Sequence, residues 1–264
     1  MIPRDYVTEW RAEAPWIDDA QVEQDLVISR ALVEIFSHPV LRGSLAFRGG
    51  TALYKLHVKP PARYSEDIDL VQVNAKPAGP IMDALREVLN PWLGKPRYLQ
   101  SYGRVTFTYR FNSEEVPPVP LRLKVEINTR EHFAVNGFLD IPYKIVSRWF
   151  DGTCEIKTYE LNELLATKLR ALYQRSKGRD LFDLAVALDD PEVDATSIID
   201  IFKAYMELGG HHVTRTQFEK NLAAKRNDRN FAADISPLLS PDYKWDFDAI
   251  ADKVMETLVA RLAD

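Results

Sequence analysis

The spacing of hydrophobic residues in this chain changes near residue 159, and this change limits the folds it can adopt. Before that point, apolar residues alternate with polar ones in two segments, which is the two-residue period of half-buried strands. After it, apolar residues recur every three or four positions, as they do along one face of a helix. The pattern predicts an α+β fold, in which a mixed sheet flanked by helices is followed by an all-helical C-terminal lobe.

The 264 residues are enough for two small domains, and we expect these to cover 1–158 and 159–264. The alternating strands are marked by Val105, Phe107, Tyr109 and Phe111, and by Leu121, Leu123, Val125 and Ile127. Further segments are predicted as helices over 21–36, 51–56 and 81–89, a strand over 68–73, and edge strands over 142–150 and 155–159. The helical half is predicted over 161–172, 181–188, 198–208 and 247–262.

Composition excludes several classes of protein. Hydrophobic residues make up 46% of the chain and charged residues 28%, which is typical of a globular protein and not of a disordered one. No apolar run approaches the roughly 18 to 20 residues of a membrane span, and no signal-peptide stretch follows the first residues. The single cysteine, Cys154, permits neither an internal disulfide nor a cysteine-rich zinc site. We therefore expect a cytoplasmic protein with no membrane partner.

The net charge of −5 means that contact with nucleic acid requires a local basic patch. One candidate is a run without any acidic residue, formed by Lys168, Arg170, Arg175, Lys177 and Arg179. A solvated helix face is the more usual explanation of such a run when the sequence is taken alone.

A pair of glycines follows a short apolar segment in the sequence Arg48-Gly49-Gly50-Thr51. Glycines let the backbone approach a ligand closely, and the free N–H groups of a helix that starts at Thr51 favour an anion such as phosphate. A glycine pair alone is weak evidence, because such pairs also form ordinary turns. The Walker A spacing is absent.

Two aspartates, Asp67 and Asp69, flank one residue of the predicted strand, so their side chains point to the same side. Two such carboxylates repel each other unless a cation lies between them. Mg²⁺ prefers carboxylates together with phosphate oxygens, so a nucleoside triphosphate is the expected third component. A solvated edge-strand face is the alternative for an Asp-x-Asp sequence taken alone.

Glu126 lies on the polar face of a neighbouring predicted strand and is the candidate third acid. It is expected either to complete a metal pair or to accept a proton. Alternatively, it is an exposed residue paired with Lys124 or Arg122.

Lys168 falls within the apolar stripe of its predicted helix, and a lysine on a buried side needs a partner. It either reaches a triphosphate or extends its ammonium group out of the core. Asp180 and Asp183 have a structural interpretation as the N-cap and the third residue of the next helix.

The order of three motifs, over 47–55, 63–70 and 163–184, resembles that of the AbiEii/AbiGii toxin family, which includes the MenT toxins and belongs to the DNA polymerase β-like nucleotidyltransferase superfamily. Residues 190–264 offer no motif to match. The resemblance implies a nucleotidyltransferase-type N-terminal lobe and a helical C-terminal lobe, with the active site between them.

The resemblance also implies roles for individual residues. The implied metal ligands are Asp67 and Asp69. The implied nucleotide-binding residues are Arg48, Gly49, Gly50, Thr51, Ser65 and Lys168. The implied catalytic residues are Asp67, Asp69, Glu126, Lys168, Asp180 and Asp183, with the third acid left open between Glu126 and Asp180 or Asp183. RNA contact is assigned to the basic run of Arg170, Arg175, Lys177 and Arg179.

The activity implied by the resemblance is Mg²⁺-dependent transfer of a nucleoside monophosphate from an NTP to RNA. In MenT-like proteins the acceptor is the 3′ end of tRNA, and the modification inhibits translation. A cognate antitoxin encoded nearby is the expected partner. Two alternatives remain at this point: a non-catalytic module that keeps the fold and binds a nucleotide or a partner, and a nucleotidyltransferase that acts on protein.

Overall fold

A computed structural model describes residues 2–264 of the chain. Its residues cluster into two compact units, Met1–Tyr159 and Glu160–Asp264. None of the helices in the described part of the chain combines the length and the apolar character needed to cross a membrane.

The first unit contains helices and one seven-stranded sheet. Its helices are α1 (Arg4–Trp10), α2 (Asp19–Ser37), α3 (Pro39–Ser44), α4 (Gly49–Ala52), which continues into a π-helical turn over Leu53–His57, and α5 (Gly79–Leu93). Its strands are β1 (Leu45–Arg48), β2 (Asp67–Gln72), β3 (Arg97–Ser101), β4 (Arg104–Asn112), β5 (Pro120–Asn128), β6 (Phe138–Val146) and β7 (Asp151–Tyr159).

The strand order is β3-β4-β5-β2-β1-β7-β6. Strand β2 pairs antiparallel with β1 and parallel with β5, so the sheet is mixed, which confirms the predicted fold class. The prediction of an edge strand over 155–159 is wrong, because β7 lies between β1 and β6 and pairs parallel with β1. Strand β3 was not predicted, because all five of its residues are exposed and it carries no alternating apolar pattern.

One face of the sheet forms the core of this unit. Alternate residues of β4 and β5, such as Phe107 and Val125, are fully buried on the face against which α2 and α5 pack. The intervening residues of the same strands, such as Thr106 and Glu126, lie on the opposite face. The alternation therefore separates a covered apolar face from a polar one.

The second unit is helical in the part of the chain described. Its helices are α6 (Leu161–Gln174), α7 (Gly178–Ala187), α8 (Ala195–Leu208), α9 (Arg215–Arg226), α10 (Arg229–Ala233) and α11 (Phe247–Thr257), with short 3₁₀ turns over Ser236–Leu238 and Val259–Arg261. Helix α6 begins where the Glu160 side chain accepts hydrogen bonds from the backbone N–H groups of Asn162 and Glu163. It then packs against α7 and α8.

Candidate functional site

Three carboxylates gather on the polar face of the sheet in the first unit. Asp67 and Asp69 lie on β2 on the same side of the strand, as the sequence predicts. In the parallel pairing with β5, Asp69 lies directly opposite Glu126, and Asp67 lies opposite Lys124. The register therefore brings Glu126, 57 residues away in sequence from Asp69, to the aspartate pair.

Lys124 lies among these acids and was not predicted as part of the site. Its Nζ is 3.0 Å from Asp67 Oδ2 and 3.3 Å from Glu126 Oε2. Burial acts to lower the pKa of Lys124, but the charge and hydrogen bond of Asp67, followed by the charge of Glu126, hold it above its ordinary value. One ammonium group thus bridges two of the three carboxylates. The alternation along β5 puts positions 124 and 126 on one face, and this pattern indicates from the sequence that Lys124 lies near Glu126.

The third carboxylate, Asp69, has a pKa above the ordinary aspartate value. Burial is the main cause, and the negative charge of Asp67 adds to it, while Arg48 acts in the opposite direction. A cation bound beside Asp67 and Asp69 would favour the ionised form of both carboxyl groups.

The glycine pair lies at the end of β1, next to these acids. Gly49 has a φ of +82°, and a Cβ there would overlap the Oδ2 atom of Asp69, so this position requires glycine. A Cβ at Gly50 would overlap the guanidinium of Arg63. The absence of both side chains leaves the backbone of this turn against the carboxylate cluster.

Hydroxyl groups connect the glycine turn to the start of β2. Thr51 Oγ1 lies 2.8 Å from Ser65 Oγ and donates a hydrogen bond of 2.5 Å to the backbone carbonyl of Asp67. Arg48, antiparallel partner of Asp69, donates to Glu131 at 2.9 Å. The structure therefore gives Thr51, Ser65 and Arg48 contacts within the protein, while their predicted role in nucleotide binding stays a prediction.

The donors of this cluster suit a divalent cation in their chemistry. Carboxylate oxygens are the ligands that Mg²⁺ prefers, and burial together with the charge of Asp67 raises the pKa of Asp69, so a cation beside this pair would favour the ionised form. No set of three histidine, cysteine or acidic side chains within residues 2–264 is arranged to hold a metal ion. The fit therefore rests on Asp67 and Asp69, with Lys124 neutralising Asp67 and Glu126 in the arrangement observed.

A second charged cluster lies within the helical unit. Lys168 on α6 is 5% exposed, and its Nζ is 2.5 Å from Asp183 Oδ2 and 3.4 Å from Asp180 Oδ1 on α7. Arg175 donates two hydrogen bonds to Asp180, at 2.7 and 2.9 Å. Lys168 thus has buried partners and does not extend to solvent. Burial acts to raise the pKa of Asp180, but Lys168 and Arg175 hold it below the ordinary value.

The expectation that Asp180 caps its helix is wrong. Helix α7 begins at Gly178, its N-cap is Lys177, and no side chain caps it. Asp180 lies in the first turn, where its carboxylate is bound by Arg175 and Lys168 instead of by backbone N–H groups.

The basic run also has partners in the helical unit. The Arg170 guanidinium lies 4.9 Å from the ring centroid of Tyr205. Lys177 and Arg179 lie 3.5 and 3.6 Å from Asp234. Acids distant in sequence therefore offset part of the positive charge of this run, although the run itself contains no acidic residue. Its assignment to RNA contact stays a prediction.

Comparison with known proteins identifies the family. A family model described as the nucleotidyl transferase AbiEii toxin of a type IV toxin–antitoxin system matches residues 30–253. The chain belongs to the AbiEii family. This assignment confirms the family resemblance drawn from the three motifs. It also makes the protein a nucleotidyltransferase toxin whose family implies an NTP substrate and an antitoxin partner.

Solved structures similar to this AbiEii-family chain share its fold. MenT4, a nucleotidyltransferase toxin from Mycobacterium tuberculosis H37Rv, is 17% identical with a TM-score of 0.61, over 99% of this chain and 91% of MenT4. JHP933 from Helicobacter pylori is 16% identical with a TM-score of 0.56, over 92% of each chain. A putative nucleotidyltransferase from H. pylori has the same identity and TM-score, over 92% of this chain and 96% of that one. Among curated proteins, none matches the sequence.

Proposed function

We propose that this AbiEii-family protein transfers a nucleoside monophosphate from an NTP to an RNA acceptor, the 3′ end of tRNA, in a Mg²⁺-dependent reaction that inhibits translation. The observation that carries the proposal is the position of Asp69. It lies against the glycine turn on one side, where Gly49 has no side chain to obstruct it, and directly opposite Glu126 on the other. An acid pair, a backbone turn suited to phosphate and a third acid thus share one face.

Each residue has a distinct task in this reaction. Asp67 and Asp69 would hold Mg²⁺, which when bound offsets negative charge on the phosphates and the reacting oxygens. Gly49 and Gly50 leave room for the triphosphate to approach the backbone of the turn. The acceptor hydroxyl attacks the α-phosphorus, the bond from that phosphorus to the bridging oxygen breaks, and pyrophosphate leaves.

The acceptor hydroxyl must lose its proton during the attack. Glu126 is our first choice as the proton acceptor, because its register position places it beside Asp69. Asp180 and Asp183 remain the alternatives from the family motif, and a contact of Lys168 with phosphate likewise remains a prediction. Since NTPs and tRNA are cytoplasmic, we place the protein there, together with an antitoxin encoded nearby.

Labelled nucleotides test this proposal directly. Purified protein is incubated with each α-labelled NTP, Mg²⁺ and total tRNA, and the label in RNA is measured. We expect Asp69→Asn to lower the transfer rate at least about 100-fold, because charge stabilisation at the reacting phosphate is lost. The matched control is Asp140→Asn, an exposed acid on β6 paired with Lys157 at 3.4 Å, which should keep the wild-type rate.

The outcomes separate the alternatives. Label found on protein instead of RNA would make the protein an enzyme with a different acceptor. If no nucleotide labels any RNA, and Asp69→Asn still inhibits growth as strongly as the wild type, the chain is a non-catalytic binding module.

A further inference from the structure

A row of positively charged side chains covers the polar face of the sheet beside the carboxylate cluster. We term it the basic face and define it as Arg97 on β3, Arg104 and Arg110 on β4, and Arg122 and Lys124 on β5. The pairing register places Arg110 opposite Arg122, and Arg97 opposite Thr108, which in turn lies opposite Lys124. These side chains therefore share one surface of three neighbouring strands.

An open groove of about 440 Å³ runs over this surface. All five residues of the basic face line it, and Glu126 is the one acid among the lining residues. Threonines fill positions between the cations, and Tyr98 and Leu99 lie at the β3 end. The groove thus concentrates positive charge in a protein whose net charge is −5.

Much of this positive charge is not neutralised. Within residues 2–264, neither Arg97 nor Arg110 forms an ion pair with an acid, and both are exposed. Arg104 and Arg122 have only long ion pairs, of 3.5 Å to Glu126 and 3.8 Å to Glu66, and exposed pairs of this kind are weak. The basic run of the helical unit differs, because acids there approach its cations from α7 and from Asp234.

The strand order gives the position of the basic face relative to the glycine turn. The glycine turn follows β1 on one side of β2, and the basic face begins at β5 on the other side of β2. In-line transfer requires the leaving pyrophosphate and the attacking hydroxyl to lie on opposite sides of the phosphorus. If the triphosphate is held at the glycine turn, the acceptor must approach over β5, where Lys124 and Glu126 lie. This step rests on the proposed function.

We propose that the basic face binds the phosphate backbone of the RNA acceptor, along the nucleotides that lead to its attacking hydroxyl. Arginines and lysines on an open groove are the side chains that bind phosphates. Apart from Tyr98 and Leu99, the groove lacks the apolar centre that a protein partner would use. The charge, the position and the polarity of this face all fit a nucleic-acid strand better than an acidic protein.

Removing the two unpaired cations tests the proposal. The double variant Arg97→Gln/Arg110→Gln is compared with Lys76→Gln/Lys144→Gln, which removes two positive charges from exposed positions elsewhere in the same unit. The probes are total tRNA and a fluorescein-labelled single-stranded RNA of 12 nucleotides, and binding is followed by anisotropy across a salt series. Binding of labelled ATP with Mg²⁺ is measured in parallel.

We expect the first double variant to bind both RNAs about tenfold more weakly and to lower the slope of log affinity against log salt by about 2, one unit for each lost phosphate contact. The control should stay within about twofold, and ATP binding should not change in either variant. Equal RNA affinity of the first variant and the wild type would overturn the proposal, as would equal binding of RNA and polyglutamate by the wild type. If the basic face binds RNA but no nucleotide is ever transferred, the proposed function fails, while RNA binding by the basic face is still established.

Discussion

The two charged clusters of this protein differ in how their charges are balanced. On the sheet, Lys124 pairs with Asp67 and Glu126, Arg104 forms a longer pair of 3.5 Å with Glu126, and the three carboxylates are partly exposed. In the helical unit, Asp180 and Asp183 are fully buried together with Lys168, and Arg175 adds a second cation. The two clusters also differ in the pKa of their carboxyl groups. The pKa of Asp69 lies above its ordinary value, and the pKa of Asp180 lies below it.

This contrast leads us to expect different roles for the two clusters, ligand binding on the sheet and stabilisation in the helical unit. Buried ion pairs hold well only when each charge has partners, and the helical cluster meets this condition by joining α6 to α7. The sheet cluster is partly exposed and places carboxylates beside a glycine turn, an arrangement that suits a cation and a triphosphate. We therefore expect substitutions in the helical cluster to act mainly on stability, and those in the sheet cluster mainly on activity.

Replacement of the central lysine of each cluster gives the largest expected difference. Lys168→Met should lower the free energy of unfolding by about 3–5 kcal/mol, because it leaves two buried carboxylates without their shared partner. Lys124→Met should change it by no more than about 1 kcal/mol, because its ion pairs are partly exposed. Urea unfolding followed by circular dichroism, in EDTA so that no cation substitutes for Lys124, measures both.

The control is Lys203→Met on α8, whose partner Asp200 lies 3.5 Å away in an exposed pair. Its effect should be below about 0.5 kcal/mol. Equal losses for Lys168→Met and Lys124→Met would remove the distinction between the two clusters.

Substitution of Gly49 in the glycine turn should have a smaller effect, and it should lower both stability and activity. Gly49→Ala places a Cβ at a φ of +82° and against Asp69, so we expect a loss of about 1–2 kcal/mol together with slower nucleotide transfer. Gly43→Ala, in α3, is the control, because no atom lies within 4 Å of a Cβ there. A Gly49→Ala variant with wild-type stability and wild-type transfer would show that the turn does not constrain Asp69.

Sequence reasoning predicts the parts of the site that are local in the chain. The face shared by Asp67 and Asp69 follows from the two-residue period of a strand, and the glycine turn follows from Gly49-Gly50 after an apolar segment. It does not predict which residue lies opposite Asp69, since the β2–β5 register joins residues 57 apart. The alternation along β5 puts Lys124 on the face of Glu126, but only this register places it opposite Asp67.

Long-range packing also explains the errors in the fold. The apolar positions of α2 predict a helix with one buried face, yet Glu23, Gln24 and Asp25 are buried as well. The cause is that α1, α3, α5 and the sheet surround this helix on several sides, which no local pattern reveals. The same limit applies to β7, because its parallel partner β1 lies about 100 residues earlier in the chain.

The smallest effect that we expect is a change in the pH dependence of stability at Glu23. This residue lies on α2, which packs on the covered face of the sheet. One of its carboxylate oxygens accepts a hydrogen bond of 2.9 Å from the backbone N–H of Glu114, while the other accepts none from residues 2–264. Burial, with a contribution from Glu115, raises the pKa of Glu23 from 4.5 to about 7. The sheet unit thus contains a second carboxyl group whose pKa is raised mainly by burial.

The sign of the pH dependence follows from this raised pKa. Between pH 4.5 and about 7 the folded protein retains the Glu23 proton while the unfolded chain releases it, so stability falls as the pH rises through this window. Glu23→Gln has no proton to lose, and between pH 5 and pH 6 the wild type should therefore lose about 1 kcal/mol more than this variant. The exposed Glu256→Gln on α11 should follow the wild type. A Glu23→Gln variant with the same pH dependence as the wild type would mean that Glu23 is ionised in the folded protein at low pH, and within this comparison the raised carboxyl pKa would then be confined to Asp69.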